Sequence, residues 1–331
     1  MGGECCDDFE RLREDSGLSE MIGHGVPSPA VARKFLNQFH EEEKIEAAKQ
    51  GRRGDQIAYI PEENAPLDGL GMVNRALVQE LGRRCPDQRI ATVDQDATII
   101  GSSKQFALRT YEGERGYQPM LAVWAEMNVV LADEFRDGNV PAMMGPPAVA
   151  KKSFAALPET VKTYYYRGDS ACHESRLMNW LRDGERAEGP QGFIGFAISA
   201  RMSEALRKAV ETVPEADWKA YGKEHATEIR ECAEVSFVPG EKSEHKDTQP
   251  RRYIALRIRP RQATRFDDSN KVRHFEVLTN SREWKAGTME GVHDVLNWSQ
   301  CGVAAIGDDS GAVDRLDSAR QAVADSGVNG A

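Results

Sequence analysis

The stretch RIATVDQDATII, residues 89–100, sets Asp94 and Asp96 inside a run of apolar and β-branched residues. Side chains two apart on a strand share a face, so the two carboxylates would stand together. Like charges held that close are tolerated mainly where a cation or a donor-rich site neutralises them. The plainer reading is an edge strand whose outer face is wet. Two further acids have suggestive settings. Asp169 follows TYYYRG, at the carboxyl end of a second expected strand, where open α/β sheets carry their sites. It could equally cap the element after it. Glu290 lies in AGTMEGVHDVLNW, where Thr288 can cap a helix, and the helix dipole favours a first-turn acid in any case. Carboxylates from two strands and one helix could converge on a pair of divalent cations about 3.5–4 Å apart, the arrangement of phosphoryl-transfer sites. Magnesium suits such a site, being hard, oxygen-seeking and able to bridge to phosphate.

The elements that would hold these acids follow from periodicity. Residues 1–85 read as helical and polar. In SPAVARKFLNQF, Ser28 is an N-cap with Pro29 at the first helical position, and Val31, Phe35, Leu36 and Phe39 fall on one face. DGLGMVNRALVQELGRR supplies a second amphipathic helix ending near Gly82. From Arg89 the period changes. RIATVDQDATII and KQFALRTYEG read as strands, and YQPMLAVWAEMNVVLADEFRDGN as a third strand or hairpin. Helix and strand then alternate through PPAVAKKSFAALP, VKTYYYRGDS, HESRLMNWLRDG, GFIGFAIS and ARMSEALRKAVETV. Three strands that can be antiparallel, followed by alternation, imply a mixed α/β sheet with helices on its faces.

After residue 215 come the strand-like EIRECAEVSFVP, RRYIALRIRP and RHFEVLTN. Arg251, Arg252, Arg257, Arg259 and Arg261 make this the most basic part of the chain. In YIALRIRP one face is apolar and the other basic. The basic face is either simply solvated or in contact with phosphates.

Composition bounds the rest. The chain has 331 residues, 40% of them hydrophobic and 29% charged, enough for a real core in one large domain or two ordinary ones. A net charge of −10 argues against indiscriminate coating of nucleic acid but leaves room for a local basic surface. The six cysteines include no CxxC pair, so a zinc site or disulfide framework is not expected, and scattered thiols fit a reducing cytosol. No apolar run reaches the roughly 18 residues of a membrane helix, and MGGECCDDFE lacks a signal-peptide layout. The myristoylation pattern fails because Cys6 stands where Ser or Thr is expected. These features read as a soluble, intracellular protein with no membrane partner.

Several motifs in order, ATVDQDAT, ALRTYEGERGYQPMLAVWAE, DEFRDGNVPA, YYRGDSA and KAGTMEGVHDVL, closely resemble DDE transposases of bacterial insertion sequences. They are most similar to the group known as insertion-sequence thirteen-eighty. CCDDFERLREDSGL and PSPAVARKFLNQF are similar to it too, so the resemblance spans roughly residues 4–296. It implies an RNase H-like mixed sheet with flanking helices, interrupted by a β-rich insertion and preceded by a helical N-terminal region. The corresponding divisions are 1–85 (helical region), 86–214 (first part of the core), 215–272 (basic β-rich insertion), 273–298 (glutamate helix) and 299–331 (a divergent, disordered tail).

Carried over by position, Asp169 matches the second catalytic acid and Glu290 the third. The first is Asp96, which directly precedes a small residue and a threonine, with Asp94 as the alternative. The resemblance implies that Asp96, Asp169 and Glu290 hold two Mg²⁺ ions, with Mn²⁺ able to substitute. One ion would activate water or a DNA 3′-hydroxyl, and the other would stabilise the leaving oxygen. The implied activity is metal-dependent cleavage and transfer of double-stranded DNA at terminal inverted repeats, by a cytoplasmic, nucleoid-associated protein acting as a homodimer on paired ends. The departures are an abrupt start near GGECCDDF, a short join at LTNSREWKAGTMEG, and Asn297 where the group usually has lysine. They raise the alternative of a catalytically inactive remnant that binds DNA or full-length transposase.

Overall fold

The computed structural model describes residues 5–51, 58–105, 107–221, 226–239, 249–261 and 272–280. Glu290, Asn297 and the segment 299–331 lie outside them.

The described residues before the first strand form helices and turns: α1 (Phe9–Arg13), α2 (Ser16–Ile22), α3 (Pro29–Asn37), α4 (Glu42–Gly51) and α5 (Ala65–Arg84). Their starts follow the capping chemistry of the sequence. Ser28 Oγ accepts from the Val31 N–H at the head of α3, and Asn64 Oδ1 accepts from Leu67 N–H at the head of α5, each just before a proline-bearing first turn. The apolar stripe expected on α3 does not bury. Ala32 and Pro29 are its buried residues, while Val31, Phe35 and Leu36 are each half-exposed or more.

A nine-stranded mixed sheet follows. Its strands are β1 (Ile90–Ala97), β5 (Met120–Trp124), β6 (Val129–Glu134), β7 (Thr163–Gly168), β8 (Ile194–Ser199), β9 (Lys219–Ala220), β10 (Glu228–Phe237), β11 (Arg251–Pro260) and β12 (Arg273–Thr279). Across the sheet they run β6-β5-β1-β7-β8-β12-β11-β10-β9. β5 runs antiparallel to both of its neighbours β6 and β1, β7 and β8 run parallel to β1, and the remaining neighbours pair antiparallel. β1 is therefore a central strand, and the wet-edge reading of its two aspartates is corrected: it pairs on both sides.

KQFALRTYEG makes only a short strand. β2 (Ile100–Gly101), β3 (Leu108–Arg109) and β4 (Arg115–Tyr117) form a small separate sheet in the order β2-β4-β3. Strands β9 to β11, drawn from the region expected as an insertion, and β12 from the division after it extend the main sheet beyond β8.

Helices α6 (Pro146–Ala156), α7 (Ser175–Arg182) and α8 (Glu204–Glu211) complete the fold. α6 packs on β1, β5 and β6, α7 on β8 and α8 on β10. The main core joins their apolar faces to Val93, Trp124, Tyr166, Phe196, Tyr253 and Leu278, all essentially buried. A smaller cluster containing Ala197, Ile254, Leu256 and Val277 uses the alternate strand positions and hence the other face of the sheet. Among the described residues, no helix is long and apolar enough to cross a membrane.

One glycine matters for what sits at the end of β7. A Cβ at Gly168 would lie 2.7 Å from Cys172 Cβ and 2.8 Å from its Sγ. The absent side chain lets the chain fold back into the single 3-10 turn Ser170–Cys172 directly after the strand. Gly168→Ala is expected to cost about 1–3 kcal/mol of folding stability through overpacking, measured by urea denaturation. An unchanged midpoint would contradict the packing described.

Candidate active site at the ends of three parallel strands

The parallel pairing of β1 with β7 brings Asp94 opposite Arg167 and Gln95 opposite Gly168. One residue further along each chain stand Asp96 and Asp169. They meet at the carboxyl end of the sheet, where the strand order turns from antiparallel to parallel neighbours. Alternation decides the faces. Val93 and Gln95 point into the core, and the Gln95 amide donates to Pro146 O at 3.0 Å, tying α6 to the strand. Asp94 and Asp96 take the opposite face.

The two acids of β1 are used differently. Asp94 accepts from Arg167 Nη2 at 2.7 Å, with both side chains largely covered, so its charge is already neutralised. Among the described residues, Asp96 has no such partner. Its Oδ1 accepts from the adjacent Ala97 N–H at 2.8 Å, and its carboxyl is pushed up to about 6, first by burial and then by the negative charge of Asp169. Asp96 is nonetheless open to solvent on one side, so a ligand can reach it. Asp169 caps the following turn, accepting from Ala171 N–H at 2.9 Å, as its local sequence allows. Its carboxyl is also raised, chiefly by burial, and is partly held down by those backbone donors and by Arg201. Capping and a site role are thus compatible in one residue: one oxygen fixes the turn while the carboxylate still confronts Asp96.

Three residues near the pair escape sequence reasoning. Tyr111, in the turn between β3 and β4, is 78% exposed and feels the charges of both Asp96 and Asp169. Arg201, just past the end of β8, acts on Asp169 from the other side. His173 lies 3.1 Å from the Tyr253 hydroxyl, and burial together with Arg251 and Arg201 lowers it to about 4, keeping it neutral at physiological pH. All three depend on pairings between strands distant in sequence, which no local pattern announces.

The basic strand is largely committed within the fold. Arg257 pairs with Glu215 at 2.7 Å and Glu231 at 2.8 Å, and its guanidinium lies 4.3 Å from the Trp218 ring centre. Arg259 pairs with Glu231 at 2.9 Å and Arg252 with Glu234 at 3.0 Å. Arg251 is 3% exposed and donates to Asn179 Oδ1 at 2.9 Å. Arg261 is exposed just after β11. The sequence showed the arginines; the cross-strand acids that neutralise them come into view only with the β10–β11 register.

Two accessible carboxylates, both raised by burial and Asp96 also by the charge of Asp169, fit a hard divalent cation by the chemistry of the donors. Among the described residues no group of three or more metal-ligating side chains forms, and Glu290 lies outside them. The charge state has a consequence for stability. Asp96 binds its proton more tightly folded than unfolded, so between about pH 4 and 6 folding takes up protons and stability falls as pH rises. In metal-free buffer, Asp96→Asn is expected to raise the urea midpoint at pH 7.5, with the difference from wild type closing near pH 4. A variant less stable at pH 7.5 would show that the carboxylate is satisfied by partners and not crowded.

No protein-family model matches this chain, and no curated protein matches it. Among solved structures it is similar to a piggyBac transposase, determined by cryo-electron microscopy as a synaptic complex with hairpin DNA. The TM-score is 0.34 at 12% identity, over 65% of this chain and 39% of that one. The chain therefore corresponds to well under two thirds of that protein's length, and a likeness so distant assigns nothing by itself.

Proposed function

We propose that this protein is a transposase of the DDE type with an RNase H-like core, and that Asp96 and Asp169 bind Mg²⁺ or Mn²⁺ for cleavage and transfer of double-stranded DNA. The observation that carries the reading is the meeting of Asp96 and Asp169 at the ends of two adjacent parallel strands, open to solvent, with the charge of Asp169 helping to raise Asp96. The order of the first five long strands, third-second-first-fourth-fifth, with only the second antiparallel to the others, supports the RNase H-like assignment. The motif resemblance to insertion-sequence transposases supplies the substrate class and adds Glu290 as the third acid.

In this reading Asp94 serves as the structural acid, holding Arg167 so that the β1–β7 register is fixed beneath the site. Asp96 and Asp169 hold the cation. When bound, that cation supplies charge neutralisation and Lewis acidity toward a phosphodiester. Gly168 and the turn capped by Asp169 orient the second carboxylate. Arg259 and Arg261, at the open end of β11, are the members of the basic strand best placed to meet phosphates beyond the site.

The test is incubation of the purified chain with Mg²⁺ or Mn²⁺ and duplex DNA from the sequence bordering its gene. Metal-dependent nicking or joining is expected. Asp169→Asn should reduce it by more than about 100-fold, since even partners outside the ligand set cost 10–100-fold, with DNA binding in a gel-shift assay little changed. Equal activity in Asp169→Asn would reject the site. Binding without any cleavage by wild type would favour the inactive, DNA-binding reading.

A further inference from the structure

The carboxyl ends of β1, β7 and β8 lie side by side, and a charged residue stands at or just past each of them. Asp96 and Asp169 end the first two. β8 pairs with β7 in parallel, with Ile198 opposite Gly168, and Arg201 follows its last residue, Ser199, by two positions. The register therefore sets the end of β8 beside Asp169, and the Arg201 charge acts on both Asp169 and His173.

What distinguishes Arg201 is that its charge is uncommitted. Its guanidinium donates to Met143 Sδ at 3.6 Å, a weak acceptor, and among the described residues it forms no ion pair with a carboxylate. The other arginines around the site are spent: Arg167 on Asp94, Arg136 on Glu134, and Arg251 on Asn179 and Met178. Arg201 is also exposed, so nothing in its packing requires a guanidinium there. A planar group of five N–H donors beside a cation-binding pair has the right form to grip an oxyanion whose other oxygens face the metal.

We propose that Arg201 is a phosphate clamp, donating to a non-bridging oxygen of the phosphodiester held at Asp96 and Asp169. This deepens the phosphoryl-transfer reading and rests on it. The clamp contacts substrate directly and so counts as a catalytic residue. It fixes the phosphate in line with the acids and offsets the charge that builds on the phosphoryl oxygens during displacement. His173, hydrogen-bonded to the Tyr253 hydroxyl, feels the Arg201 charge and so can report on it.

A binding experiment that needs no cleavage tests this. The full chain, isotope-labelled on its histidine rings, is titrated with a short single-stranded oligothymidylate in Ca²⁺, and the His173 signal, assigned with His173→Gln, is followed by NMR. Wild type is expected to give a saturable movement. Arg201→Ala should weaken the apparent affinity by about tenfold or more, and Arg201→Lys should recover part of the loss because it restores the charge without the fork. Arg201→Gln keeps a comparable length and is expected to behave as the alanine variant does. An affinity in Arg201→Ala within twofold of wild type, or no saturable movement in wild type, would overturn the clamp. If the titration behaves as stated while wild type cleaves no DNA, the clamp stands and the transposase reading fails. If cleavage occurs and Arg201→Ala binds like wild type, the reverse holds.

Discussion

The register between β1 and β7 is the constraint on which the site depends. The same offset that pairs Asp94 with Arg167 carries Asp96 alongside Asp169. One of these pairs is attractive and the other repulsive, so the strand ends hold a neutralised couple just below a crowded one. The attractive pair secures the alignment and the repulsive pair leaves a site that gains from a cation. Burial raises the stakes, since a carboxylate with few water partners either finds a counter-charge or takes a proton. That coupling links sheet topology to chemistry: a slip of one residue would turn both acids to the other face and bury them in the core.

Much of the architecture was legible because it is local. Ser28 before Pro29, the apolar runs of β1 and β8, and the proline start of α6 each specify an element from neighbouring residues. Asp94 and Asp96 were legible as a pair on one face, but not their division of labour, which turns on Arg167 from a strand 73 positions later. The edge-strand alternative failed for the same reason: nothing in RIATVDQDATII says that two strands will flank it. KQFALRTYEG reads as a strand by composition, yet its strand is two residues long because it pairs with the short β4 and not with the main sheet. Arg201 and Tyr111 sit in connecting segments whose significance comes wholly from which strand ends lie next to them.

The basic strand shows how charge counts mislead when read along one chain segment. Five arginines close together suggest a phosphate surface, but antiparallel pairing sets Glu231 and Glu234 opposite them, and Glu215 comes in from a turn. The resulting network, capped by Trp218 against Arg257, gives the far half of the sheet internal cohesion and leaves less free charge than the sequence displays. Arg201, which among the described residues has no carboxylate partner, comes from a segment with no basic run at all.

The most direct measurement of the central claim is anomalous diffraction from a crystal soaked in Mn²⁺. A manganese peak within about 2.5 Å of carboxylate oxygens from both Asp96 and Asp169 is the expected result, in keeping with oxygen ligation of a hard divalent ion. Clear density for both side chains with no peak between them at saturating Mn²⁺ would contradict it, and the crowded carboxylates would then have to be explained without a metal.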